Sequence, residues 1–355
     1  MCDRCAAGAL VTWNGPAQIE KITGLTTLSH LQPEWNALWA RCPSATTFQR
    51  PEWLICWIEA FRPGKLWTLA VREAGQLVGI APLYIQQKEV ERTLAPVGAA
   101  ISDYLDWLID PAASGDIAKL IFRHITDRES SWNCLDFSDL PGTSPLLGLE
   151  LGDDWEWEPS LHDSCPVLQL PQKVEELRNL VPRCQLRSVK NARKKLEKAG
   201  RVQIEVATPE TLDELLAALF RLHRTRWSQP GCAGTLLDDA VRQFHRSVAP
   251  RLLAKGVLRL YALRFENRII ASLYAFFERD TAYCYLQGFD PRFAEYSPGA
   301  QILAAVIEDA VNLGKRSIDF LRGRETYKYA WGAQDTPTFR LRARKHLRDL
   351  PQIAA

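Results

Sequence analysis

Along this chain the spacing of apolar positions switches repeatedly between helical and strand periods, and the switches mark the elements. Residues 49–62 place Trp53, Trp57 and Phe61 on one face behind Pro51, which predicts a helix. Residues 66–72 alternate as a strand, and a turn at Glu73-Ala74-Gly75 leads into a hairpin partner over 77–85. Alternation returns at 104–109 and 134–137, with a helix predicted over 117–126. Residues 140–159 are rich in Pro, Gly, Ser, Asp and Trp and show no clear period. A new helical pattern begins at Leu170-Pro171, which predicts a boundary there between units at 20–170 and 171–345.

The second half reads more plainly. Residues 171–199 are helical to a turn at Gly200, and 203–207 form a short strand. Leu212, Leu215, Leu216, Leu219 and Leu222 stripe one helix, and 238–253 form another beyond a Gly/Pro-rich loop at 228–234. Three strands at 257–265, 268–277 and 281–289, joined by tight turns, predict an antiparallel meander. A helix then opens at Ser297-Pro298-Gly299, with Ser297 as N-cap and Pro298 at the first helical position, and closes at Gly314. The strand 317–321 follows. A helix between it and the meander makes the connection a crossover, so these two strands should run parallel.

Composition narrows the function classes. The 355 residues are 46% hydrophobic and 24% charged, an ordinary globular balance that excludes collagen, coiled coil and wholesale disorder. Basic and acidic residues, 44 against 42, leave a net charge of +2, so any anion binding must be local. Nine scattered cysteines do not read as a disulfide framework. Cys2 and Cys5 form a CxxC with no second pair or His nearby, and the six histidines show no metal-ligand spacing, so no metal site is expected. The first residues lack a leader's basic start and apolar core, and no apolar run reaches bilayer length. A cytoplasmic protein without membrane insertion is the expectation. Phosphate-loop lysine, nucleophile-elbow and dinucleotide motifs are absent.

Two segments carry chemistry. The helix start Ser297-Pro298-Gly299-Ala300-Gln301 offers backbone N–H groups and a helix dipole to an anion, with Gly299 allowing close approach, or is simply a well-capped helix. Residues 319–332 gather carboxylates (Asp319, Glu325), phenols (Tyr327, Tyr329) and cations (Arg322, Arg324, Lys328) where ligands of open sheets collect, or form a surface loop of mixed charge. A third stretch, 183–201, holds eight Lys or Arg and one acid, with 183, 187, 190, 194, 198 and 201 at three- and four-residue spacing. That face is either solvated or a contact for an anionic substrate or a tRNA backbone. His223 and Trp227 end a helix and read as packing or as substrate-facing. Trp155 and Trp157 read as core or as the lining of a sugar or acyl cleft.

Taken in order, Gln287-Gly288-Phe289-Asp290, Tyr296-Ser297-Pro298-Gly299, Gly314, Asp319-Phe320-Leu321-Arg322-Gly323, Glu325, Tyr327-Lys328 and Trp331 resemble the GNAT-fold acetyltransferase family. The closest branch is the bacterial cellulose-biosynthesis-associated acetyltransferase-like one, similar to the Fem-type aminoacyltransferases with tandem GNAT-like units. A weaker likeness at 48–54 and 77–83 extends it into the first half. The resemblance implies two GNAT-like α/β (α+β) units, each a mixed, mostly antiparallel sheet flanked by helices. It implies acetyl-CoA or another acyl-CoA as donor, with Ser297, Pro298, Gly299, Ala300 and Gln301 in the pyrophosphate-binding element, although the family's Q/R-x-x-G-x-G/A signature is absent. Transfer to an amine or hydroxyl, on a small-molecule or saccharide acceptor in polysaccharide or envelope metabolism, would use Tyr327 as the acid. Asp319 or Glu325 would serve as base. Asp319 bonding backbone at the strand end, and Lys328 either meeting a phosphate or pairing with Glu325, are the open alternatives. An aminoacyl-tRNA-dependent transferase and a non-catalytic binding protein are the rival readings.

Overall fold

In a computed structural model of the chain, residues 17–89, 91–127, 131–150, 155–226, 236 and 238–345 are described. The Cys2–Cys5 pair, Trp227 and the loop 228–234 lie outside them. The chain forms two compact units. One comprises the residues up to Ile58, Pro63–Ser160 and the chain from Phe339 on; the other comprises Glu59–Arg62 and Leu161–Thr338.

In the first unit β1 (Gln18–Ile22), α1 (Leu25–His30), α2 (Gln32–Arg41) and α3 (Pro51–Phe61) precede β2 (Lys65–Leu66), β3 (Thr68–Glu73), β4 (Gln76–Ala81), β5 (Leu83–Lys88) and β6 (Glu91–Pro96). Then come β7 (Leu108–Ile109), α4 (Ile117–Asp127) and β8 (Cys134–Pro141). The expected single strand over 77–85 is two strands in two sheets. β4 pairs with β3 and β7, whereas β5 pairs with β2 and β6. Pro82 stands between them and has no N–H to continue a ladder, so the chain changes sheet there. The alternation at 104–109 shrinks to two residues because Tyr104 sits at φ 54, outside strand geometry. Helix α4 lies close on β4: a Cβ at Gly79 would stand 2.6 Å from Ile117 Cγ2. Ile117, Ile121 and Ile125 share a buried core with Trp67, Trp132 and Phe137.

The chain crosses between units within β9 (Trp155–Gln169) and returns within β15 (Gln334–Lys345). Neither strand is legible in the sequence, and Trp155 belongs to the first unit's core. The helical pattern of 171–199 divides at Pro182 into α5 (Leu177–Leu180) and α6 (Arg183–Ala199), since proline cannot donate inside a helix. There follow β10 (Val202–Val206), α7 (Leu212–Arg226), α8 (Asp239–Ala254), β11 (Leu258–Phe265), β12 (Arg268–Glu278) and β13 (Thr281–Phe289). Next are α9 (Pro298–Asn312), β14 (Ser317–Asp319) and α10 (Thr326–Tyr329).

The second unit's sheet runs β10-β11-β12-β13-β14-β9, antiparallel except for the expected parallel pair β13–β14. Ile302, Leu303, Val306, Ile307 and Ala310 of α9 pack in one core with Tyr261, Leu263, Ile270 and Leu273 of the sheet. Helix α7 rides on β13 at Gly288, where a Cβ would stand 2.5 Å from the His223 amide nitrogen, so only glycine permits that approach.

His245 of α8 is buried among rings, 4.9 Å from Phe244, 5.5 Å from Tyr274 and 5.6 Å from Tyr285. Burial, with His223 adding a smaller push, lowers its pKa to about 3. An unfolded histidine titrates near 6.5, so between those values the unfolded chain binds the extra proton. Stability is therefore lost as pH falls from about 6.5 towards 3 and is unaffected above that window. His245→Leu should flatten this acid limb by several kcal/mol relative to wild type, read from urea midpoints between pH 4 and 7. Parallel limbs in the two proteins would mean that the ring does not enter the titration.

Candidate functional site

Strands β13 and β14 pair only from Thr281↔Ser317 to Tyr283↔Asp319. Beyond Tyr283, β13 continues to Phe289 while β14 ends, so the two part and the edge from Cys284 onward has no neighbour on that side among the described residues. A bulge in the pairing of β13 with β12 falls at the same point. Tyr274 faces Leu286 but Ala275 faces Cys284, which leaves Tyr285 as the extra residue.

A cavity of about 250 Å³ occupies this wedge. Gln287 and Phe289 of β13 form one wall, and Ser297, Pro298, Gly299 and Ala300 at the start of α9 form a second. Tyr327 of α10 and Trp331 close it, and Gln185 of α6 reaches it from the opposite side of that helix to the cations. Five of the nine candidate residues thus come together. Gln185 was missed because its helix reads as a charged surface; its position, half a turn from the basic stripe, was the available signal.

The start of α9 differs from the expected cap. Ser297 is left-handed (φ 47) and its side chain caps nothing. Its carbonyl instead accepts from both the Ala300 and Gln301 N–H groups, at 3.1 Å each. Pro298 has no N–H, so Gly299 carries the first-turn amide without a partner among the described residues. The Gln287 amide donates to the Gly299 carbonyl at 2.8 Å, and a Cβ at Gly299 would stand 2.8 Å from that nitrogen. Gln301 turns away from the cavity, buried, and donates to the Tyr296 carbonyl at 2.7 Å.

The loop after β14 is held from within. Asp319 is buried, and its Oδ1 accepts from the Leu321 N–H at 2.7 Å, the backbone role noted as an alternative. Lys328, 2% exposed, donates to the carbonyls of Leu321, Arg322 and Gly323 at 2.9, 2.8 and 3.0 Å and pairs with Glu325 Oε2 at 2.9 Å. Leu321 and Gly323 are left-handed (φ 57 and 103), so the lysine organises a tight reversal that delivers Tyr327 to the cavity. Tyr327 is the one titratable side chain among the residues lining it. Cys284 lies on the open edge, but burial and the nearby Asp319 push its thiol up to about 12, so no thiolate nucleophile is available at neutral pH.

Helix α6 exposes Arg183, Arg187, Lys190, Lys194 and Lys198 within an arc of about 80° and along about 22 Å. None of the five has an ion-pair partner among the described residues, whereas Lys195 pairs with Glu295 at 2.6 Å and Arg193 with Glu197 at 2.6 Å. Among the described residues no group of His, Cys, Asp or Glu could hold a metal ion, and no helix is long and apolar enough to cross a membrane.

Residues 183–329 match a family model described as an acetyltransferase (GNAT) domain. No curated protein matches the sequence. Among solved structures the chain is similar to FemX, with a TM-score of 0.64 at 12% identity over 91% of this chain and 96% of that one. It is also similar to the C-terminal domain of a putative lysylphosphatidylglycerol synthetase from Agrobacterium fabrum, with a TM-score of 0.52 at 10% identity over 88% and 92%. A tandem GNAT protein from the clavulanic acid biosynthesis pathway gives 0.50 at 12% identity over 93% and 98%. At such identities the likeness is one of fold, and it extends over both units.

Proposed function

From the premise that residues 183–329 are a GNAT-fold acetyltransferase domain, we propose that the second unit transfers the acyl group of an acyl-CoA to an amine or hydroxyl acceptor. The parting of β13 and β14 carries this reading. It leaves a strand edge with unclaimed peptide groups beside a largely apolar cavity, which suits the amide-bearing, flexible arm of an acyl thioester. The cavity walls hold no cation, so the arm rather than the phosphates belongs inside.

In the proposed reaction the acceptor's nitrogen or oxygen attacks the thioester carbonyl, the new C–N or C–O bond forms and the C–S bond breaks. The thiolate takes the Tyr327 phenolic proton, and the acceptor's proton passes through solvent water to the carboxylate of Glu325, two residues before Tyr327 and outside the cavity lining. Proton exchange with water restores both groups. Asp319 and Lys328 act as positioning residues, since their polar atoms hold the loop. A saccharide acceptor from polysaccharide or envelope chemistry extends the resemblance and is the first class to screen.

Thermal-shift titration with CoA, acetyl-CoA and longer acyl-CoAs tests the donor. At about 100 times its dissociation constant a ligand adds about 2.7 kcal/mol, which moves Tm by a few degrees in a chain of this size. Gly299→Leu drives a side chain into Gln287 and the cavity and should abolish the shift while leaving the unliganded Tm within about two degrees. Absence of a shift with every thioester would refute the acyl-CoA reading.

A second reading, an aminoacyl-tRNA donor, is favoured by the unpaired cations of α6 and by a helix start with a single unclaimed amide. Its mark is tRNA binding that weakens steeply with salt and is lost on joint Lys190→Glu and Lys194→Glu substitution.

A further inference from the structure

The first unit contains a polar site that the proposed transfer does not use. Three segments meet at Asp106. From the turn before α3, the Gln49 amide points to the Asp106 carbonyl at 3.5 Å, while Gln49 Oε1 is fixed by the Thr46 N–H at 2.7 Å. From the segment after β8, the Ser144 hydroxyl donates to Asp106 Oδ1 at 3.0 Å. Within its own loop, the Trp107 N–H donates to the same Oδ1 at 2.8 Å. Trp53 Nε1 locks this loop further by donating to Ser102 Oγ at 2.8 Å. Ala100 and Tyr104, just before Asp106 in the chain, and Asp139, two residues after Phe137 on β8, hold left-handed backbone (φ 75, 54 and 59). Strain of that kind persists only where the surroundings over-determine it, and it concentrates at binding sites.

One carboxylate oxygen is therefore fixed twice, while Oδ2 has no bond among the described residues. The carboxyl lines a pocket of about 10 Å³, room for one water-sized group, whose other walls include Leu54, Pro82, Pro96 and Phe137. No Lys or Arg pairs with it among the described residues, and Asp106 is the one titratable side chain among those lining the pocket. Burial pushes the carboxyl up to about 6, against smaller opposing effects of the Trp107 and Ser144 bonds, so it is ionised but uncompensated at neutral pH.

We propose that this pocket binds the primary ammonium group of an amine, with Leu54, Pro82, Pro96 and Phe137 of its walls offering apolar contact to the carbon that carries it. An ammonium head is water-sized and supplies both the missing positive charge and a donor to Oδ2. A hydroxyl supplies a donor alone and leaves the charge uncompensated.

The test is titration of the full chain with n-butylammonium chloride at pH 7.5 and constant ionic strength, with the Trp107 backbone amide as NMR reporter. A saturable shift is expected, absent with n-butanol and absent in Asp106→Asn. Wild type at pH 5 should bind about tenfold more weakly, because the carboxyl is then mostly protonated while the amine keeps its charge. That arm decides the matter even if Asp106→Asn does not fold. Gly299→Leu should bind the amine normally, which separates this site from the donor cavity of the second unit. No saturation up to 50 mM, equal binding of n-butanol, or unchanged binding by Asp106→Asn would each overturn the proposal.

Discussion

Replacing Tyr327 by phenylalanine should lower kcat by about 10²- to 10⁴-fold while leaving the acyl-CoA thermal shift unchanged. That range is what a positioned acid contributes when it protonates a leaving group in the transition state. The ring itself packs against the second unit's core, so removing one oxygen leaves the cavity wall in place. In the proposed mechanism donor affinity rests on that wall, and turnover on the proton. A parallel loss of both would instead mark Tyr327 as a binding residue, since uniform weakening raises KM without a selective effect on kcat. Wild-type turnover in the variant would remove Tyr327 from the mechanism altogether.

Lys328→Ala should produce the largest loss of stability in the second unit, about 3 to 5 kcal/mol. The ammonium is 2% exposed and spends its donors on three carbonyls and the Glu325 carboxylate. Removing it leaves those acceptors facing an empty volume, and an unmet buried polar group costs about 1 to 3 kcal/mol. Chemical denaturation read by tryptophan fluorescence measures the loss. Activity should fall further than the folded fraction does, because the Leu321–Gly323 reversal that presents Tyr327 loses its anchor. Lys328→Met keeps the packing of the stem and should lie between wild type and alanine. A change below about 1 kcal/mol in the alanine variant would show that water replaces the ammonium and that the lysine holds nothing.

Much of the second unit was legible because its signals are local. The stripe of leucines in α7, the three strands of the meander and the Ser-Pro-Gly helix start each depend on a few neighbouring residues, and all of these elements are present. The parallel pairing of β14 with β13 followed from a crossover helix and a handedness rule. Local reading failed where proline acted in three dimensions. Pro82 divides an apparently continuous strand between two sheets, and Pro182 detaches the basic helix from the turn before it. Residues 155–169, with Pro159, Ser160, His162, Asp163 and Ser164, carry no clean alternation and still form a fifteen-residue strand. Its pairing with β14 through Val167, Leu168 and Gln169 is a contact about 150 residues away in sequence, invisible to any window along the chain.

The candidate site divides in the same way. Sequence alone determined which residue types were available: a helix start with glycine, a phenol and carboxylates after a strand, and a row of cations at helical spacing. Those are properties of order and period, and a sequence displays both. Only the tertiary structure decided their directions. It turned Gln301, Asp319 and Lys328 inward to satisfy buried backbone, and brought Ser297, Pro298, Gly299, Ala300 and Tyr327 to one cavity with Gln185 and Gln287. In the other unit it made Asp106 a carboxyl with one fixed and one open oxygen. Which polar atoms stay free is set by partners distant in the chain, because every buried donor and acceptor must first be met, and only the remainder can face a ligand.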